Sequence, residues 1–91
     1  MKLPIKLLLV LSINNGLTYK QMQKRTGFHV NTISRQISFL DKNGLLDITQ
    51  EKSKNLRGKK WVNVVSLKKE FFAESIAEFF EKISAKLAGN L

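Results

Sequence analysis

Asn31, Arg35, Ser38 and Lys42 recur at intervals of four, three and four residues. At about 100° of turn per residue, that spacing lays an amide, a guanidinium, a hydroxyl and an ammonium along one stripe of a helix. These groups match the edges of bases in a major groove: a guanidinium such as Arg35 suits a guanine in bidentate fashion, and an amide such as Asn31 an adenine. Thr32, Ser34 and Gln36 beside them are placed for phosphates or groove walls. A second set of cations, Lys52, Lys54, Arg57, Lys59 and Lys60, crowds one polar stretch, residues 51–60. The lysines there suit phosphate neutralisation, and Arg57 a minor-groove or backbone contact. Lys20, Lys24 and Arg25 form a third set, suited to phosphates alone.

Other chemistries lack their residues. With no cysteine there is no disulfide, thiolate zinc site or cysteine nucleophile, and a single histidine builds no metal cage. His29 has no accompanying carboxylate or nucleophile pattern and reads as a capping or packing residue. Gly58-Lys59-Lys60 lacks the preceding glycine and the strand-to-helix setting of a phosphate-binding loop. Trp61 and Phe28 sit at element boundaries inside apolar runs and read as core. No enzymatic activity, cofactor or metal is expected.

The elements that must position these residues fit in one small domain, since 91 residues bury only about two-thirds of their unfolded surface. Sixteen Lys and Arg against seven Asp and Glu give +9, which argues for a polyanionic partner. The excess is not uniform: residues 1–67 hold 12 cations and 3 acids, residues 68–91 hold 4 and 4. Two jobs follow, a polyanion-facing body over 1–67 and a neutral C-terminal segment over 68–91. The apolar run after Lys2 is too short to span a bilayer, carries Lys6 and lacks a small-residue cleavage site, so it reads as a buried helix over 3–13 in a cytoplasmic protein.

Thr18-Tyr19-Lys20-Gln21 has the spacing of a capping box and opens a short second helix that stops at Gly27, with Tyr19 and Met22 inward. Val30, Ile33, Ile37 and Leu40 give the third helix its apolar face, ended by Gly44. From Leu45 the period changes to that of a strand, and 61–67 reads as a second strand, with the cationic stretch as the loop of a hairpin. Residues 68–88 read as one helix. The fold class is mainly α with a small β-hairpin, an α+β protein.

Helix, helix, helix, strand, basic loop, strand is the order of a helix-turn-helix with a hairpin attached. The segment from Gly27-Phe28-His29-Val30-Asn31-Thr32-Ile33-Ser34-Arg35 to Asn43-Gly44-Leu45-Leu46 resembles the recognition segment of winged helix-turn-helix transcriptional regulators of the MarR and ArsR type. Asn55-Leu56-Arg57-Gly58-Lys59-Lys60 before Val65-Ser66-Leu67 is similar to the MarR-type wing, with Asn55 where that pattern has Asp. His29 stands where the family has a stronger helix cap such as Ser. The metal response of ArsR members does not carry over, because its cysteines or clustered histidines are missing. The resemblance covers roughly residues 5–67 and implies a winged helix whose third helix enters a major groove.

The last segment carries Phe72, Ile76, Phe79, Phe80, Ile83 and Leu87, more apolar surface than so small a body is expected to cover. A C-terminal dimerisation helix follows as the expectation, and the resemblance points the same way. The sequence thus supports a homodimer that binds specific sites on double-stranded DNA, with repression of transcription as the expected outcome and no membrane partner. Two alternatives stay open: a winged-helix module for protein or RNA, and a non-specific architectural DNA binder.

Overall fold

The computed structural model describes residues 3–52 and 61–89. The elements run α1 (Ile5–Ile13), β1 (Leu17–Thr18), α2 (Tyr19–Thr26), α3 (Val30–Lys42), β2 (Leu46–Lys52), β3 (Trp61–Leu67), a 3-10 turn at Lys69–Phe71, and α4 (Ile76–Gly89). Among the described residues the protein is α+β, with four α-helices and a three-stranded antiparallel sheet in the order β1-β3-β2. No helix among the described residues is long and apolar enough to cross a membrane.

Local chemistry starts and stops the helices. Pro4 stands at the N-cap of α1, where its missing N–H costs nothing. The capping box of α2 forms as its spacing predicts: the Gln21 N–H donates to Thr18 Oγ1 at 3.2 Å, and the Thr18 N–H donates to Gln21 Oε1 at 2.9 Å. Gly27 closes α2 in the left-handed region at φ 75°, its N–H donating to the Gln23 carbonyl. Buried Thr26 completes the turn, its hydroxyl donating to the Met22 carbonyl and accepting from the Phe28 N–H.

One cluster of buried side chains joins these elements. Leu7, Leu8 and Leu11 come from α1, Met22 from α2, Ile33, Ile37 and Leu40 from α3, and Leu46, Val65 and Leu67 from the hairpin. Each contributes about 1.5–3 kcal/mol by leaving water. Val30, expected on the apolar face of α3, is 39% exposed because it sits in the first turn, at the edge of the stripe. In the hairpin, Leu46 pairs with Leu67, Ile48 with Val65, and Lys52 with Trp61.

Three expectations change. Leu17–Thr18 adds a strand, pairing Leu17 with Val65 and Thr18 with Val64; two residues are too few to show a period of two. The helix expected over 68–88 begins only at Ile76. Phe72 is extended, and the Ser75 hydroxyl accepts the Glu78 N–H at 3.1 Å, so Ser75 caps a helix that begins after it. Trp61 is 59% exposed rather than core: it pairs with Lys52 at the far end of the ladder, where Gln50, Glu51 and Asn63 are exposed as well.

The C-terminal segment also packs differently than its neutral charge suggests. Phe71, Phe79 and Ile83 are buried in the same core as α1 and α3. The Lys82 ammonium donates to the Phe72 carbonyl at 2.9 Å and lies 3.7 Å from Glu78. The stem of Lys86 lies over Gly44, where a Cβ would come within 3.2 Å of Lys86 Cε.

Tyr19 is the only tyrosine and reports on how α2 meets α3. Burial, and secondly the Asp41 carboxylate on α3, raise its pKa above the ordinary 10.0. Absorbance at 295 nm should therefore titrate with a midpoint above 10, and Asp41→Asn should lower that midpoint without abolishing the shift. A folded-state pKa that is raised gives stability present below the unfolded value and lost as pH rises through the folded one, so the fold should weaken above about pH 10. A midpoint at or below the free-tyrosine value would contradict this packing.

Candidate nucleic-acid interface

The orientation of α3 follows from its two faces. Ile33, Ile37 and Leu40 point into the core, which turns Asn31, Arg35, Ser38 and Lys42 to the opposite side, where all four are exposed. At 1.5 Å per residue the stripe runs about 16 Å, three turns of helix, long enough to follow a major groove about 12 Å wide. Ser34 is exposed on one flank and Thr32 half-buried on the other.

Gln36 departs from its expected role. It is half-buried, and its Oε1 is shut away from solvent with no hydrogen-bond partner among the described residues. At 140° from Asn31 around the helix it turns toward the body, so its oxygen does not face a ligand on the stripe. The helical wheel held the signal: Gln36 lies nearer to Ile33 and Leu40 than to Arg35.

His29 is the N-cap of α3, and its Nδ1 accepts the Asn31 N–H at 3.2 Å. The imidazole thus takes the part that Ser plays at stronger caps. It settles the first turn and with it the backbone that carries Asn31. Phe28 is half-buried against the core, with the Lys6 ammonium 5.2 Å from its ring centroid, which ties α1 to the turn between α2 and α3. At the other end, Asn43 Nδ2 donates to the Phe39 carbonyl, and Gly44 takes φ 76° to lead the chain into β2.

Lys20, Lys24 and Arg25 are all exposed on α2. Residues 19–42 therefore present five cations and, among acids, Asp41 alone. Lys52 is exposed at the end of β2. Lys54, Arg57, Lys59 and Lys60 lie outside the described residues. Among the described residues no group of three or more His, Cys, Asp or Glu could hold a metal ion.

The expected dimer residues divide. Phe79 and Ile83 belong to this chain's own core, since α4 lies back on the body, so neither offers surface to a second copy. Phe72, Phe80 and Leu87 are half-buried against the same core, and Ile76 is 65% exposed. Sequence reasoning missed Ile5 and Ile13 on α1, the latter 80% exposed. An open cleft of about 130 Å³, lined by Ser12, Phe72, Ala73, Ile76 and Phe79 among others, runs between the end of α1 and the start of α4.

Comparison with family models, curated proteins and solved structures returns no match to this chain.

The orphaned oxygen of Gln36 gives a direct test of its orientation. Gln36→Met keeps the volume and removes the unsatisfied acceptor, and should raise the urea unfolding free energy by about 1 kcal/mol. An unchanged or lower value would mean that the oxygen is satisfied in solution.

Proposed function

We propose that this chain is a winged helix-turn-helix protein that binds specific double-stranded DNA sites as a homodimer and represses transcription by occupying them. The observation that carries the reading is the exposed Asn31–Arg35–Ser38–Lys42 stripe, backed by three buried residues of the same helix. A helix held rigidly by its inner face presents its outer face with few degrees of freedom, which base reading requires. The cations of α2 lie one short turn away and supply the phosphate contacts that set register. The hairpin serves as the wing.

In this reading Arg35 and Asn31 read base edges, Ser38 and Lys42 continue the contact along the groove, and Ser34 and Thr32 meet its walls. Lys20, Lys24, Arg25 and Lys52, with Lys54, Arg57, Lys59 and Lys60 of the wing, neutralise phosphates. The dimer forms through what α4 leaves outside: Ile76, with the exposed edges of Phe72, Phe80 and Leu87, beside Ile13 of α1. Two-fold symmetry then calls for an inverted repeat with half-site centres about 10 base pairs apart or a multiple of that. A bound dimer represses by excluding polymerase.

Selection of sites from random duplex DNA followed by binding measurements tests the reading. Arg35→Ala should cost about 1–3 kcal/mol on the selected site and relax one position of it. Lys59→Ala should weaken all sequences alike and reduce the salt slope by about one. Equal, sequence-blind losses would count against α3 as the reading helix, and preference for RNA or absence of duplex binding would overturn the proposal.

The assembly has its own test in sizing and thermal melts. Ile76→Glu should give a monomer with secondary structure intact, whereas Ile83→Ala should cost the fold about 2–5 kcal/mol. A chain that sizes as a monomer before any substitution would remove the dimer.

A further inference from the structure

The hairpin has two chemically distinct faces. Alternation places Leu46, Ile48, Gln50 and Lys52 of β2 on one side, with their partners Leu67, Val65, Asn63 and Trp61 of β3. At the root of the hairpin this side is core: Leu46, Val65 and Leu67 are buried. Toward the free end the same side emerges from the body, Ile48 is partly exposed, and Gln50, Lys52, Asn63 and Trp61 are open to solvent. The other side of β2 holds Thr49 together with Asp47 and Glu51, and these two carboxylates are the only acids of the two strands. The side that carries the indole therefore carries no carboxylate.

Trp61 is the only tryptophan of the chain, and it is 59% exposed with the Lys52 ammonium 5.6 Å from its ring centroid. A large aromatic left in water, paired with a cation and flanked by two amides, has the composition of a nucleic-acid contact. A protein-docking hot spot would instead sit among apolar neighbours. Charge agrees: residues 53–60, which join the two strands, add four cations and no acid.

We propose that Trp61 and Lys52 together bind the sugar-phosphate wall of duplex DNA, the indole packing on deoxyribose while the ammonium takes the adjacent phosphate. The Lys52 ammonium already lies over the ring, which suits a wall better than a sandwich between two bases. Gln50 and Asn63 beside them offer amide donors to neighbouring phosphate oxygens. This contact rests on the proposed duplex binding and adds to it a residue that carries no charge.

The test uses the emission of Trp61, which no other tryptophan overlaps, with labelled-duplex anisotropy as an independent measure of binding. On adding a selected duplex, emission should shift to the blue and saturate together with the anisotropy. Trp61→Ala should weaken duplex binding about tenfold with the salt slope unchanged, and Trp61→Phe should retain most of the affinity. Lys52→Gln should instead lower the slope by about one ion. Circular dichroism melts of the variants should overlay that of the parent chain, since both side chains are exposed.

Duplex binding with unmoved emission and undiminished affinity in Trp61→Ala would overturn this contact and leave the DNA-binding reading standing. No duplex binding at all would overturn both. A larger shift with single strands than with duplex would replace the wall contact by base stacking, and emission that follows protein concentration alone would assign the indole to a second copy; either result ends the proposal.

Discussion

The surface chemistry of this protein is set by the direction in which Ile33, Ile37 and Leu40 point. Their burial fixes the rotation of α3, and a helix with one face fixed has no freedom left for the other. Asn31, Arg35, Ser38 and Lys42 are exposed because of where the isoleucines are. Substitutions in the core would therefore disturb the stripe without touching it, by letting the helix turn about its axis.

Local signals in the sequence carried most of the helical part. Thr18 and Gln21 announce α2 by a reciprocal pair of hydrogen bonds that needs no tertiary context, and Gly27 and Gly44 mark turns whose positive φ other residues resist. The alternation of β2 and β3 was readable for the same reason. Where the sequence fell short, the answer depended on neighbours distant in the chain. Two residues of β1 become a strand only because Val64 and Val65 lie alongside. Trp61 looks like core from its composition, but whether a strand residue is covered depends on how far the helices reach beneath it. The start of α4 falls at Ile76 rather than at 68 because the hydroxyl of Ser75 caps the helix there and Phe72 is extended.

Net charge and structural partition also proved to be different divisions of the chain. The balance of cations and acids changes sharply after Leu67, yet Phe71, Phe79 and Ile83 continue the core built by the residues before them. A domain of this size has too little apolar surface to leave a helix idle, so the neutral segment closes the core first and has only its outer edge to spare. That explains why Phe79 and Ile83, two of the six apolar residues assigned to a partner from the sequence, are spent within the chain, and why isoleucines of α1, whose helix is buried on its other side, come into consideration instead.

The pairing ladder of the hairpin makes it far more sensitive to a change in length than to a change in identity. Removing one residue within β2 would reverse the parity of everything after it and swing alternate side chains through the sheet. Glu51 would then stand across from Asn63, on the side of the indole, Lys52 would leave that side, and a carboxylate would replace an ammonium on the face now free of acids. A point substitution there alters one contact; a lost codon would exchange the two faces.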